Sequence, residues 1–160
     1  MSLETLDLGS AVTSVFESML GLPIAIADEF HEAEADQPSV TGVISISGDW
    51  NGAVIVTVPS ALAKAVAAAM FAMDEDALTA AEIEDAVGEL SNMVGGATKT
   101  MIGGSCAISL PSVTEGVRYR VSIPGAREVA MSRFDCKGDL MTVTVVQGAS
   151  KSSHTTRKPS

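Results

Sequence analysis

The chain has 160 residues, 46% of them apolar and 19% charged, which is one domain's length of globular sequence and excludes a disordered polymer. Its formal net charge of −10 argues against a nucleic-acid binder, because phosphate contacts need Lys and Arg. The charge is uneven: residues 1–98 carry a net of −15, with Lys64 their one basic residue, and residues 99–160 carry a net of +5. The longest strongly apolar run, Ser60–Met73, contains Lys64 and is shorter than the roughly 20 residues a membrane span needs. Met1–Thr5 has neither the basic nor the apolar segment of a signal peptide, so a cytoplasmic location is expected. Cys106 and Cys136, with 29 residues between them, form neither a CxxC pair nor a disulfide framework, and are expected as buried free thiols. His31 and His154 lie near neither cysteine, so no zinc site is expected.

In chain order, Leu8, Val12, Val15, Phe16 and Met19 recur at helical spacing and predict a first helix over Leu3–Leu20, stopped by Gly21 and Pro23. A short strand is expected within Pro23–Phe30 and an acidic loop over His31–Ser39. Val40–Ser47 and Ala53–Val58 flank Gly48-Asp-Trp-Asn-Gly52, which predicts a hairpin with a loop of four or five residues. Trp50 is expected at its tip or at a packing edge. Pro59-Ser60 opens an Ala-rich second helix that ends near Met73. Thr79-Ala-Ala-Glu82 matches a capping box, and the third helix runs from it to Ile102, before Gly103-Gly104. Strands are expected over Cys106–Leu110, Val117–Ile123, Glu128–Phe134 and Leu140–Gln147. A domain spanning 1–148 is expected, followed by a flexible tail over residues 149–160. Gly52–Val58 echoes Gly138–Val145, and Met19-Leu-Gly21 echoes Met93-Val-Gly95. The expected fold is therefore one α+β domain, a largely antiparallel sheet with helices packed on it, in pseudo-symmetric halves.

The third helix carries the chemistry. Ile83, Val87, Leu90, Val94, Ala97 and Met101 form its expected core stripe, and Asp85, Glu89, Asn92, Gly96 and Lys99 its polar stripe. Glu89 and Asn92 stand three apart and are neighbours on that face. A merely solvated face is the default for such a stripe. Against it stand Asn92, a poor residue for mid-helix, and Gly95 and Gly96, each costing about 1 kcal/mol relative to Ala there. Small residues beside an Asn–carboxylate pair point to a partner that comes close. Gly96-Ala-Thr-Lys99-Thr100 has the look of a phosphate-loop end, but it lies inside the helix and lacks the Gly before Lys. Asp74-Glu-Asp76 begins like a calcium loop, but Leu78 and Thr79 break the pattern.

Asp85-x3-Glu89-x2-Asn92, set in Gly88-Glu-Leu-Ser-Asn-Met-Val-Gly-Gly-Ala-Thr-Lys99 and followed by Ile108-Ser-Leu-Pro111, resembles the CheC/CheX/FliY phosphatases of bacterial chemotaxis over roughly residues 3–147. The first helix, aligned by its Met-x-Gly, has Val15 opposite Glu89 and Ser18 opposite Asn92. One intact motif and one blank helix are similar to CheX. The resemblance implies hydrolysis of the aspartyl phosphate on a CheY-like response regulator receiver domain, in chemotaxis or another two-component system. By that analogy Asn92 orients the attacking water, and Glu89 pairs with the receiver's Lys. Asp85 matches a less constant position, Gly95 and Gly96 let the receiver backbone approach, and Lys99 belongs to the binding surface. No cofactor or metal is implied on this chain, since the receiver brings Mg²⁺. A homodimer is implied as well. The alternative is a non-catalytic adaptor for a receiver domain or a flagellar-switch component, using the same face.

Overall fold

The structure, a computed structural model, describes residues 6–27, 37–117 and 121–148. Helix α1 spans Leu8–Val15 and continues as one π-helical turn over Phe16–Leu20. Strand β1 is Ala25–Ala27, β2 Pro38–Gly48 and β3 Gly52–Pro59. Helix α2 is Ser60–Phe71 and α3 Ala80–Ile102, joined through a 3-10 turn at Glu75–Ala77. Strands β4 Cys106–Ile108, β5 Ser112–Val117, β6 Arg127–Cys136 and β7 Asp139–Gln147 complete the chain.

All seven strands join one antiparallel sheet in the order β1-β6-β7-β3-β2-β4, with β5 also on β2. The order is a palindrome. The β2–β3 and β6–β7 hairpins meet at a central β3–β7 pair. The short strand that follows α1 flanks β6, and the short strands that follow α3 flank β2. Each half thus lends its edge to the other half's hairpin, which gives the sequence echo a structural meaning.

Alternation places one face of each strand under the helices. Val40, Ile44 and Ile46 of β2, Val54, Val56 and Val58 of β3, and Met141, Val143 and Val145 of β7 are buried there. Phe134 and Cys136 of β6 join them. Leu8, Val12 and Phe16 of α1, Leu62 and Val66 of α2, and Val87, Leu90 and Val94 of α3 complete this core.

Several expectations shift. Residues 1–5 lie outside the described residues, and α1 begins only at Leu8, capped by Asp7, whose side chain accepts from the Ser10 N–H at 2.9 Å and the Ser10 hydroxyl at 2.6 Å. Those two bonds hold the Asp7 carboxyl below its ordinary pKa of 3.8. Met19, expected on the buried face, is 66% exposed, because the π turn rotates it outward. Of the loop expected over His31–Ser39, residues 31–36 lie outside the described residues, while Pro38 and Ser39 already pair in β2. The β2–β3 loop is three residues, Asp49–Asn51, with Asn51 bonded through its side chain to Gly48; Trp50 sits there and packs against the core. The strand expected at Val117–Ile123 is instead Ser112–Val117, drawn forward by pairing with Pro38–Val43 of β2. Residues 118–120 lie outside the described residues, and 121–123 form no strand. Cys136 is buried, and burial raises its thiol pKa; Cys106 is only half-buried, at the start of an edge strand. Both are free thiols. The expected tail at 149–160 lies outside the described residues. No described helix is long and apolar enough to cross a membrane.

Candidate active site

Helix α3 is fixed at its start by the expected capping box. Thr79 Oγ1 accepts from the Glu82 N–H at 3.2 Å, and Glu82 Oε1 accepts from the Thr79 N–H at 3.0 Å. The register of everything downstream follows from that anchor. The helix then crosses the sheet on a narrow strip of small residues. Ser91 is fully buried, its hydroxyl donating to the Val87 carbonyl at 2.7 Å. It fills the space over Gly42 of β2 so closely that any side chain at Gly42 would overlap it. A Cβ at Gly95 would come within 3.0 Å of Ile44 Cγ2. Thr98, also buried, donates to the Val94 carbonyl at 2.8 Å.

This contact corrects the helical wheel. Val87, Leu90 and Val94 are buried as expected, but Ile83, Ala97 and Met101 are only half-buried. Ala86, Gly88, Ser91, Gly95 and Thr98 complete the buried face. Gly95 therefore does not belong to the partner-facing surface; its missing side chain admits Ile44, not a receiver. Gly96 is the open one of the pair, with nothing within 4 Å of a Cβ placed there.

The opposite edge of the helix faces an open groove of about 390 Å³. Glu84, Asp85, Gly88, Glu89 and Asn92 form one wall, and Pro111 and Val113 form the other. Asp85 and Glu89 are exposed and Asn92 is half-buried. Among the described residues, neither the Glu89 carboxylate nor the Asn92 carboxamide has a hydrogen-bond or ion-pair partner. The two walls meet at Gly88, where a Cβ would stand in ordinary contact, 3.4 Å from Pro111 Cγ and from Val113 Cγ2. Three acids and one carboxamide share this groove with no basic residue on its walls. Among the described residues, no three His, Cys, Asp or Glu side chains group as a metal would need.

Of the residues singled out in the sequence, Asp85, Glu89 and Asn92 come together in the groove. Lys99 lies two turns beyond Asn92, half-buried and off its walls. The groove also contains Glu84 and Gly88, which sequence reasoning passed over as site residues. Gly88 carried a usable signal, because a mid-helix glycine is costly unless something approaches it. Val113 carried none, because its segment read as a turn.

The fold and the groove define a CheC-like domain with one motif-bearing helix. The chain belongs to the CheX family: the family model described as chemotaxis phosphatase CheX matches residues 40–135, which include the whole motif helix. Solved structures agree on the fold. CheX from Vibrio vulnificus is 19% identical with a TM-score of 0.73, over 89% of this chain and 94% of that one. CheX from Desulfovibrio desulfuricans is 24% identical with a TM-score of 0.66, over 86% and 94%. The Borrelia burgdorferi CheX-CheY-BeF3-Mg²⁺ complex contains a chain 18% identical with a TM-score of 0.66, over 88% and 95%. No curated protein matches this chain in sequence.

Proposed function

We propose that this chain hydrolyses the aspartyl phosphate of a CheY-like receiver domain, with Asn92 orienting the water and Glu89 fixing the docking register. The observation that carries the reading is the convergence of Glu89 and Asn92 on one open groove of a CheX-family domain. A protein of the same fold, from Borrelia burgdorferi, was solved in complex with CheY, BeF3 and Mg²⁺.

The chemistry asks little of this chain. An acyl phosphate is already activated, so hydrolysis needs a water held in line with the P–O bond to the aspartyl oxygen. A carboxamide suits that task. It offers both a donor and an acceptor, and it does not titrate. Water oxygen bonds to phosphorus, the aspartyl carboxylate leaves with the bonding pair, and the water's proton passes to solvent as inorganic phosphate departs. The cation and the Lys that offset phosphoryl charge belong to the receiver. Glu89, exposed one turn before Asn92, is placed to pair with such a Lys, and Asp85 extends the acidic wall behind it. Acids from Asp74 to Glu89 crowd the approach and would favour encounter with a basic partner surface.

The test is phosphate release from a phosphorylated CheY-like receiver with substoichiometric protein. Accelerated release with turnover is expected. Binding without acceleration would select the adaptor reading instead.

A further inference from the structure

The edge of the sheet beside the groove is broken in an unusual way. β4 pairs with β2 at Ile46↔Ile108, and β5 resumes at Val43↔Ser112. Ser109, Leu110 and Pro111 therefore oppose only Ile44 and Ser45, a bulge of one extra residue. The break is held firmly. The Ser109 N–H donates to the Ser45 carbonyl at 2.9 Å, the Ser45 N–H donates to Ser109 Oγ at 3.0 Å, and the Ser109 hydroxyl donates to the Leu110 carbonyl at 2.9 Å. A serine side chain thus substitutes for a missing ladder acceptor. Pro111, which has no N–H to offer, turns into the groove wall, and Leu110 is left 87% exposed.

A bulge with a proline is a common way to protect a sheet edge from pairing. That purpose is served by a charge at the extruded position, not by the most exposed large apolar side chain among the described residues. We propose that Leu110 is the apolar anchor of partner docking. On this view the receiver is held at two neighbouring places, by the acidic wall of α3 and by Leu110, which directly precedes the groove-lining Pro111. The occupant is argued from continuity with the Glu89/Asn92 groove and from charge, since that groove has acids and no base on its walls. The inference rests on the phosphatase reading. It assigns Leu110 to affinity, with no role at the reacting atoms.

The test is steady-state phosphate release against phosphorylated receiver for Leu110→Ser, with Ile26→Ser as an exposed control on the opposite sheet edge. Leu110→Ser is expected to raise KM about tenfold, the loss of one buried leucine contact, with kcat unchanged and with thermal unfolding as in the parent. Ile26→Ser is expected to leave KM unchanged. An unchanged KM for Leu110→Ser, or a fall in kcat alone, overturns the inference while leaving the phosphatase reading intact. If the parent protein does not accelerate release, that reading fails, and affinity for the beryllofluoride-loaded receiver decides the anchor. Weaker binding by Leu110→Ser then supports it, and equal binding, or no binding by the parent, overturns it.

Discussion

Helices α1 and α3 occupy equivalent places in a palindromic sheet, yet of the two only α3 presents a Glu–Asn pair to a groove among the described residues. The difference lies in what each helix turns toward solvent. In α3, Ser91 sits over Gly42 and Gly95 against Ile44, which leaves Glu89 and Asn92 on the groove side. In α1 the residue opposite Glu89 is Val15, only 9% exposed, and Ser18 lies within a π turn. A shared fold thus does not transmit a shared site. The register of the helix on the sheet decides which side chains a partner can reach.

The sharpest way to break this comparison is to write the missing motif into α1. The double substitution Val15→Glu/Ser18→Asn is expected to add no phosphatase activity and to lower stability by roughly 2 kcal/mol, because the new carboxylate replaces a buried valine. Denaturant titration and phosphate release read both. A second working site would show that register matters less than composition.

The adjacent glycines of α3 separate packing from exposure. Gly95→Val presses on Ile44 and is expected to cost about 1–3 kcal/mol by overpacking. Gly96→Ala adds a methyl in open space and is expected to gain up to about 1 kcal/mol through helix propensity. Opposite signs in thermal unfolding are the expected result.

The smallest effects concern the caps. Thr79→Ala removes the α3 box and is expected to cost about 1 kcal/mol. Asp7 caps α1 as a carboxylate with a lowered folded pKa. Its contribution is therefore present above the unfolded pKa of about 4 and lost as pH falls through the lower folded value. Asp7→Asn, which caps without titrating, is expected to flatten that part of the acid stability profile.

Much of this was legible in the sequence, for local reasons. The Thr79–Glu82 box, the β2–β3 hairpin and the Glu89/Asn92 spacing are each set within a few residues. What escaped depends on contacts between distant segments. Gly95 and Gly96 look alike until Ile44 is placed under one of them. Ser112–Gly116 reads as a turn from Pro111 and Gly116, and becomes a strand only because Pro38–Val43 lies alongside it. Pro111 stood within the recognisable string, but its place opposite Asn92 comes from the bulge against β2. Met19 was misplaced because helical spacing does not foresee a π turn.

The proposed division of labour gives Asn92 the alignment of the water and the rest of the face the docking. Single-turnover phosphate release at saturating protein, comparing the parent with Asn92→Ala, tests it most directly. Asn92→Ala is expected to lower the rate at least about 100-fold, a cost typical of losing the alignment of a reacting group, with receiver affinity retained. A variant that releases phosphate as fast as the parent would contradict it.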